Sequence, residues 1–146
     1  MKADGSRKTS WRPSCSGVVV VDASLLIEAL AIEDPGGPIG ATLATEAVLH
    51  APSHVSAEFA NSLRRLEMQG KVSAERTEEV LNDFLGLPIL QHRFEPLAHR
   101  VWALRGNLTA YGAAYIAVAE SLGHPLYTTD GRLASVPGIR CQVVVL

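Results

Sequence analysis

The sequence predicts a single α/β domain, with a central, mostly parallel β-sheet and helices on both of its faces. Short apolar runs rich in β-branched residues alternate with helix-forming segments along most of the chain, as in parallel strands joined by helices. The 146 residues match the usual size of one domain. An apolar content of 47% is enough to bury a core.

The first half of the chain begins with the strand that we expect at the centre of the sheet. Val18–Val21 is wholly apolar and β-branched, as expected of a strand buried on both faces. A helix over residues 23–32 follows and stops at the Asp-Pro-Gly-Gly-Pro segment of residues 34–38. The remaining predicted elements of this half are helix 39–47, a brief strand around Val48, and helix 55–69, which Gly70 ends.

The second half continues the same alternation. Ser73 is placed to cap a helix that reaches Phe84. Gly123 ends a later helix, and Pro125 lies beyond it. The other predicted elements are, in order, strand 87–90, helix 96–105, helix 109–122, strand 126–129 and strand 141–146.

The composition excludes several broad classes of protein. A net charge of −2 provides no overall basic field, so any nucleic-acid contact must come from a local cluster of Lys and Arg. Two cysteines make neither a disulfide framework nor a zinc motif, which favours the cytoplasm. Acids interrupt every long apolar stretch, so we expect no membrane span. Residues 1–17 lack the apolar core of a signal peptide, and we expect a flexible tail before a domain at 18–146.

Two acidic residues lie where parallel-sheet proteins bind their ligands. Asp22 and Asp130 each come at the end of a predicted strand, so both can point into one crevice at the carboxyl edge of the sheet. Glu58 lies in the first turn of its helix, at the border of the apolar face. Neighbouring carboxylates resist joint ionisation unless a cation compensates them. Oxygen ligands without His or Cys favour Mg²⁺ or Mn²⁺.

Four segments, taken together and in order, resemble the motifs of the PIN-domain family, and most closely those of its VapC toxins. The segments are residues 18–26 (VVVVDASLL), 55–61 (VSAEFAN), 108–115 (LTAYGAAY) and 128–133 (TTDGRL). The resemblance implies a divalent-metal endoribonuclease that cuts structured RNA of the transfer or ribosomal class, leaving a 5′-phosphate and a 3′-hydroxyl. It also implies a VapB-type antitoxin that wraps and silences the toxin, and assembly as a homodimer.

The resemblance also assigns roles to individual residues. The expected ligands of Mg²⁺ or Mn²⁺ are Asp22, Glu58 and Asp130. The expected polar supports are Ser24, Asn61 and Thr129. Independently of the resemblance, four arginines are candidates for contacts with RNA phosphates, and a solvated surface position is the alternative for each: Arg64, Arg65, Arg105 and Arg132.

Gly112 departs from the pattern of the family, which has a metal-binding aspartate at this position. With Thr109 as the N-cap, residue 112 is the third helical position, where an acid favours the helix dipole and completes a capping box. Glycine in a helix costs about 0.5–1 kcal/mol relative to alanine. We therefore expect an impaired enzyme, and either a naturally lost ligand or an introduced inactivating change explains the glycine.

Two other functions compete with a ribonuclease toxin. A phosphatase of the haloacid-dehalogenase type would use Asp22 as its nucleophile, but it needs a second acid where Ser24 stands. A catalytically dead PIN scaffold would keep antitoxin or RNA binding and lose its chemistry through Gly112. A phospho-enzyme trap on Asp22 distinguishes the first alternative, and tight antitoxin binding without RNA cleavage distinguishes the second.

Overall fold

The sheet of the computed structural model has five parallel strands in the order β3-β2-β1-β4-β5. The structure describes residues 17–34, 36–45 and 48–146. The strands are β1 Val18–Val21, β2 Val48–Pro52, β3 Ile89–His92, β4 Leu126–Thr128 and β5 Val143–Val145. Because β1 lies between β2 and β4, the prediction that it is the central strand is confirmed.

Six α-helices flank this sheet in the described residues, so the predicted fold class is confirmed. They are α1 Ala23–Ile27, α2 Pro38–Ala44, α3 Val55–Met68, α4 Ala74–Leu85, α5 Ala98–Ala103 and α6 Ala110–Leu122. A π-helical turn, Glu28–Ile32, continues α1 to the predicted end of that helix. No helix among the described residues is long and apolar enough to cross a membrane.

Strand β3 lies two residues beyond the predicted segment 87–90. Pro88 has no N–H to donate, and its carbonyl instead accepts from the Leu49 N–H at the start of the pairing with β2. The strand then continues through the polar Gln91 and His92, since an edge strand need not be apolar. The apolar run of residues 87–90 therefore indicated the element but not its limits.

Two predicted helices also differ from the structure in their bounds. The helix predicted over 39–47 ends at Ala44, with Thr45 as its C-cap, and residues 46 and 47 lie outside the described residues. The helix predicted over 96–105 begins as the 3₁₀ turn Glu95–Leu97 before it becomes α5. The tail predicted over 1–17 also lies outside the described residues, except for Gly17.

Helix α6 is the most deeply buried helix and packs directly against β1 and β2. All residues from 113 to 119 are buried, and four of the seven are alanines, whose small side chains allow the helix to approach the sheet closely. On α3, Phe59 stacks on Phe84 of α4 with ring centroids 4.2 Å apart. These contacts fix the starts of α3 and α6, which both border the carboxyl edge of the sheet.

Candidate active site

Asp22 leaves the central strand and caps α1, so its carboxylate is held at the carboxyl edge of the sheet. Its Oδ1 accepts hydrogen bonds from the Ser24 hydroxyl at 2.8 Å and from the Leu25 N–H at 3.0 Å. Its Oδ2 accepts a hydrogen bond from the Thr128 hydroxyl at the end of β4. The Asp22 residue is only 6% exposed. Both carboxylate oxygens are therefore fixed by groups of the protein.

The ends of β1 and β4 are joined by a short chain of hydroxyl groups. The Thr128 Oγ1 that donates to Asp22 also accepts from the Asp130 N–H at 2.9 Å. The Thr129 hydroxyl donates to the Ser24 Oγ at 2.9 Å. These bonds bring Asp22, Ser24, Thr129 and the Asp130 backbone together at one edge, and the strand pattern had indicated this edge for the two aspartates.

The two aspartates of this edge have opposite electrostatic environments. Burial raises the pKa of Asp22, and the charge of Asp130 adds to this, whereas hydrogen bonds from Thr128, Leu25 and Ser24 oppose it. The Arg132 guanidinium lowers the pKa of Asp130 through hydrogen bonds to both of its carboxylate oxygens at 2.9 Å. Asp22 thus carries the cost of a buried charge, and Asp130 has a counter-charge of its own.

Glu58 lies beside a group of aromatic side chains at the start of α3. Its Oε1 is 2.8 Å from the His54 Nε2, one turn earlier along the chain. Tyr115 of α6 places its hydroxyl against the Glu58 carboxylate and the Ala23 backbone, and the charges of Glu58 and Asp22 both raise its pKa after the larger effect of burial. The His54 Nε2, the Glu58 Oε1 and the Tyr115 hydroxyl are all buried.

Gly112 lies in the first turn of α6, which Thr109 caps by accepting a hydrogen bond from the Gly112 N–H at 3.3 Å. A Cβ at this position would lie 3.6 Å from Leu108 Cδ2 and 3.7 Å from Thr109 Oγ1, which is ordinary van der Waals contact. Gly112 and Asp130 line the same cavity, of ≈ 300 Å³. An aspartate at position 112 therefore has space beside Asp130.

The acidic residues at this edge are of the right chemical type to bind a divalent cation, but too few of them lie together in the described part of the chain to hold one. Carboxylate oxygens are the right donors for a hard cation, and the Glu58 Oε1 is buried 2.8 Å from the His54 Nε2. However, the described residues contain no group of three or more His, Cys, Asp or Glu side chains that could hold a metal ion. Gly112 provides no ligand, and both oxygens of Asp130 are bound by Arg132.

The remaining predicted residues lie further from this carboxylate edge or face solvent. Asn61 is exposed on α3 and makes no side-chain hydrogen bond within the described part of the chain, so nothing there supports its predicted role as a polar support. Arg65 donates to the Ser62 hydroxyl, and Arg64 lines a groove between α3 and α4. Arg105 stacks over the Trp102 ring, 4.8 Å from its centroid.

The sequence reasoning missed the contributions of Thr128, His54 and Tyr115. The resemblance pointed to Thr129, but nothing in the sequence showed that its buried neighbour Thr128 makes the bond to Asp22. The spacing of four between His54 and Glu58 was the available signal, because residues i and i+4 lie on one face of a helix. No local pattern indicates that Tyr115, buried on α6, reaches a carboxylate on α3.

The fold and this edge of acids and hydroxyls define a class of protein. The family model described as the PIN domain matches residues 19–139, so the chain belongs to the PIN-domain family.

Within the family, the chain is similar to the VapC ribonucleases. Ribonuclease VapC12 of Mycobacterium tuberculosis is 33% identical over 126 residues, which cover 86% of this chain and 97% of that protein. Of the solved structures, M. tuberculosis VapC20, described as a sarcin-ricin loop cleaving toxin, has a TM-score of 0.61 at 18% identity over 84% of this chain and 96% of that one. VapBC2 from Rickettsia felis, bound to a promoter DNA fragment, has a TM-score of 0.64 at 14% identity, covering 86% and 98%.

At these identities the two solved structures show the fold alone, whereas the curated relative and the family model carry the functional class. That class is the VapC-type ribonuclease. The comparisons do not favour the two alternatives, a phosphatase and a scaffold without chemistry. PIN-domain ribonucleases of the VapC type generally depend on a divalent metal.

Proposed function

We propose that the site is that of an endoribonuclease that uses Mg²⁺ or Mn²⁺ to cut structured RNA of the transfer or ribosomal class, and that Gly112 impairs it in this chain. One observation carries the proposal: Gly112 and Asp130 line one cavity, and the charge of Asp130 acts on the buried carboxylate of Asp22. Asp22, Glu58 and Asp130 are the residues that would hold the metal. An aspartate at 112 would provide a further ligand.

When bound, the metal supplies an activated water and neutralises charge on the phosphate. The residues of the chain prepare the edge of the sheet for this chemistry. Ser24 and Thr128 donate to opposite oxygens of Asp22 and so fix the orientation of its carboxylate. Arg132 is exposed at the same edge, where its guanidinium can meet an RNA phosphate. The Thr129 hydroxyl holds Ser24 in place through a 2.9 Å hydrogen bond.

Gly112→Asp tests the proposal most directly. We expect it to raise the rate of RNA cleavage by roughly a hundredfold or more, because one ligand contributes several kcal/mol to transition-state stabilisation. Gly112→Asn is the matched control, since it adds nearly the same volume without the charge. Both variants and the unchanged chain are incubated with transfer and ribosomal RNA in Mg²⁺ or Mn²⁺, with EDTA as the metal-free arm. Equal, EDTA-insensitive rates in all three would contradict the proposal.

A VapB-type antitoxin is the partner that we propose for this chain. An apolar cavity of ≈ 300 Å³ lies between the π-helical turn after α1, helix α2 and the starts of β2 and β3. Ala29, Leu30, Leu43 and Leu49 are among its lining residues. An amphipathic helix binds such a surface with its apolar face. We expect Leu30→Lys to weaken antitoxin binding at least tenfold by calorimetry, with RNA cleavage by the Gly112→Asp form unchanged.

Assembly as a homodimer rests on the resemblance and is proposed on that basis; sedimentation equilibrium at several concentrations tests it. The scaffold alternative has one observation in its favour, which is the missing side chain at Gly112. Tight antitoxin binding by the unchanged chain, combined with no cleavage by either the chain or Gly112→Asp, would support the scaffold over the ribonuclease.

A further inference from the structure

Three polar side-chain atoms at the start of α3 are buried close to one another. They belong to His54, Glu58 and Tyr115, which come from two helices and the turn before one of them. The His54 Nε2 and the Glu58 Oε1 lie 2.8 Å apart, so these two buried polar atoms face each other. A side chain that contacts a carboxylate of the site can fix the position of that carboxylate.

The His54 imidazole is fixed by contacts on two sides. Its ring meets the rings of Tyr111 and Tyr115 edge to face, with centroids 5.4 and 5.3 Å apart. Such aromatic contacts restrict the rotation of the imidazole. The fixed ring holds its Nε2 2.8 Å from the Glu58 Oε1. A carboxylate on a side chain that is 36% exposed would otherwise sample several rotamers.

Tyr115 reaches the same carboxylate from the core. The residue is 3% exposed, and its ring meets the His54 ring edge to face with centroids 5.3 Å apart. Its hydroxyl lies close enough to Glu58 and Asp22 for both charges to raise its pKa. His54 and Tyr115 together restrain Glu58 from the solvent side and from the core side.

We propose that His54 and Tyr115 are positioning residues that hold the Glu58 carboxylate toward Asp22 in the RNA-cleaving site. The inference rests on the proposed function, because the role assigned to Glu58 there is to bind metal. Residues that orient a metal ligand without touching the metal typically contribute ten- to a hundredfold to metal affinity. His54→Phe keeps an aromatic ring and removes the nitrogen atoms, and Tyr115→Phe removes only the hydroxyl.

The first test is a double-mutant cycle on the chain as it is, in EDTA. Urea unfolding is measured for His54→Phe, Glu58→Gln and the double variant. If His54 acts through the Glu58 carboxylate, the two substitutions are not additive. Additive effects would overturn the proposal whether or not the site binds metal.

The second test measures Mn²⁺ affinity by electron paramagnetic resonance in the Gly112→Asp background. We expect His54→Phe and Tyr115→Phe each to weaken Mn²⁺ binding about tenfold. His54→Gln, which keeps a nitrogen donor, should lose less Mn²⁺ affinity than His54→Phe. Tyr111→Phe, which changes an exposed ring, should leave Mn²⁺ affinity unchanged. With Glu58→Gln present, His54→Phe should cause no further loss. An equal loss with and without the Glu58 carboxylate would show a merely structural role and overturn the proposal.

The two tests separate this inference from the proposed function. If Gly112→Asp binds no Mn²⁺, the proposed metal site fails. In that event the double-mutant cycle in EDTA still tests whether His54 holds Glu58. Non-additive effects would support that contact, and additive effects would overturn it.

Discussion

Thr128 donates a hydrogen bond to Asp22 across the junction of β4 and the central strand, and both residues are buried. The same hydroxyl accepts the Asp130 N–H, so a single atom ties both aspartates of the site to the sheet. Thr128 is fully buried, whereas Thr129, its neighbour, is partly exposed. The two adjacent threonines therefore offer a matched pair for substitution.

Thr128→Val removes both hydrogen bonds while nearly conserving the volume of the side chain. We expect it to lower the free energy of unfolding by about 2 kcal/mol, because a buried carboxylate loses a donor. Thr129→Val, which removes the bond to Ser24, is the control and should cost less than half as much. Urea unfolding of both variants measures the difference. Equal losses would show that the Thr128 bond contributes nothing specific to Asp22.

Asp22→Asn should stabilise the fold at neutral pH. Burial raises the pKa of Asp22 above its ordinary value of 3.8, so the folded state binds its proton more tightly than the unfolded state does. The cost of the buried charge is therefore fully present above the raised pKa and is relieved as pH falls toward 3.8. Asparagine keeps the cap of α1 without the charge.

The measurement for this prediction is urea unfolding of Asp22→Asn and the unchanged chain between pH 4 and 8. The increase in the free energy of unfolding caused by Asp22→Asn should be largest at neutral pH and should shrink as the solution becomes more acidic. Asp130→Asn should have the opposite effect and destabilise the fold, because Arg132 lowers the pKa of Asp130. The ionised Asp130 therefore stabilises the folded state above pH 3.8, and this stabilisation is lost as pH falls through the lowered pKa. A less stable Asp22→Asn at pH 7 would contradict the prediction.

Substitutions at Gly112 should separate helix stability from metal binding. Gly112→Ala removes the flexibility of glycine from α6 at an uncrowded position, so we expect the free energy of unfolding to rise by up to about 1 kcal/mol. In EDTA, Gly112→Asp should raise the free energy of unfolding by less, because the new carboxylate is repelled by Asp22 and Asp130 when no cation is bound. Added Mn²⁺ should raise the melting temperature of Gly112→Asp alone. A similar Mn²⁺ response in Gly112→Ala would show that the metal binds elsewhere.

The sequence was sufficient to predict the elements of the fold because their signals are local. The β-branched run before Asp22 identified the central strand, and Thr109 and Gly123 bounded α6 correctly. The predicted bounds of strand β3 were two residues too early, because hydrogen bonding to β2, and not hydrophobicity, decides where an edge strand begins. Local pattern predicts an element of structure better than it predicts the limits of that element.

The candidate site was predictable only where a residue type and a strand end coincide. Asp22 and Asp130 met this condition, and their shared edge follows from a parallel sheet. Contacts between residues far apart in the chain had no such signal: Thr128 and Asp22 are 106 residues apart, and the Tyr115 contact with Glu58 joins two helices. Arg132, a predicted RNA contact, also binds Asp130 through both carboxylate oxygens.

This pairing gives Arg132 two opposing effects that can be measured separately. In the Gly112→Asp background, Arg132→Gln removes both side-chain hydrogen bonds to Asp130 and leaves only the backbone N–H of residue 132 on Oδ1. We expect Mn²⁺ affinity to rise roughly two- to fivefold, since an exposed ion pair is a weak competitor. RNA affinity should fall, with a shallower dependence on salt, because one phosphate contact is lost. Mn²⁺ titration and RNA binding at two salt concentrations measure the two effects.

Arg65→Gln is the control for this pair of measurements, since Arg65 is exposed on α3 and donates to Ser62 and not to an acid of the site. It should leave Mn²⁺ affinity unchanged. A second outcome is that Arg132→Gln also leaves Mn²⁺ affinity unchanged. In that case the hydrogen bonds from the Arg132 guanidinium to Asp130 break without cost when the metal binds, and Asp130 can serve as a ligand although Arg132 is present. If Mn²⁺ affinity falls instead, Arg132 supports the carboxylate that it contacts and does not compete with the metal for it.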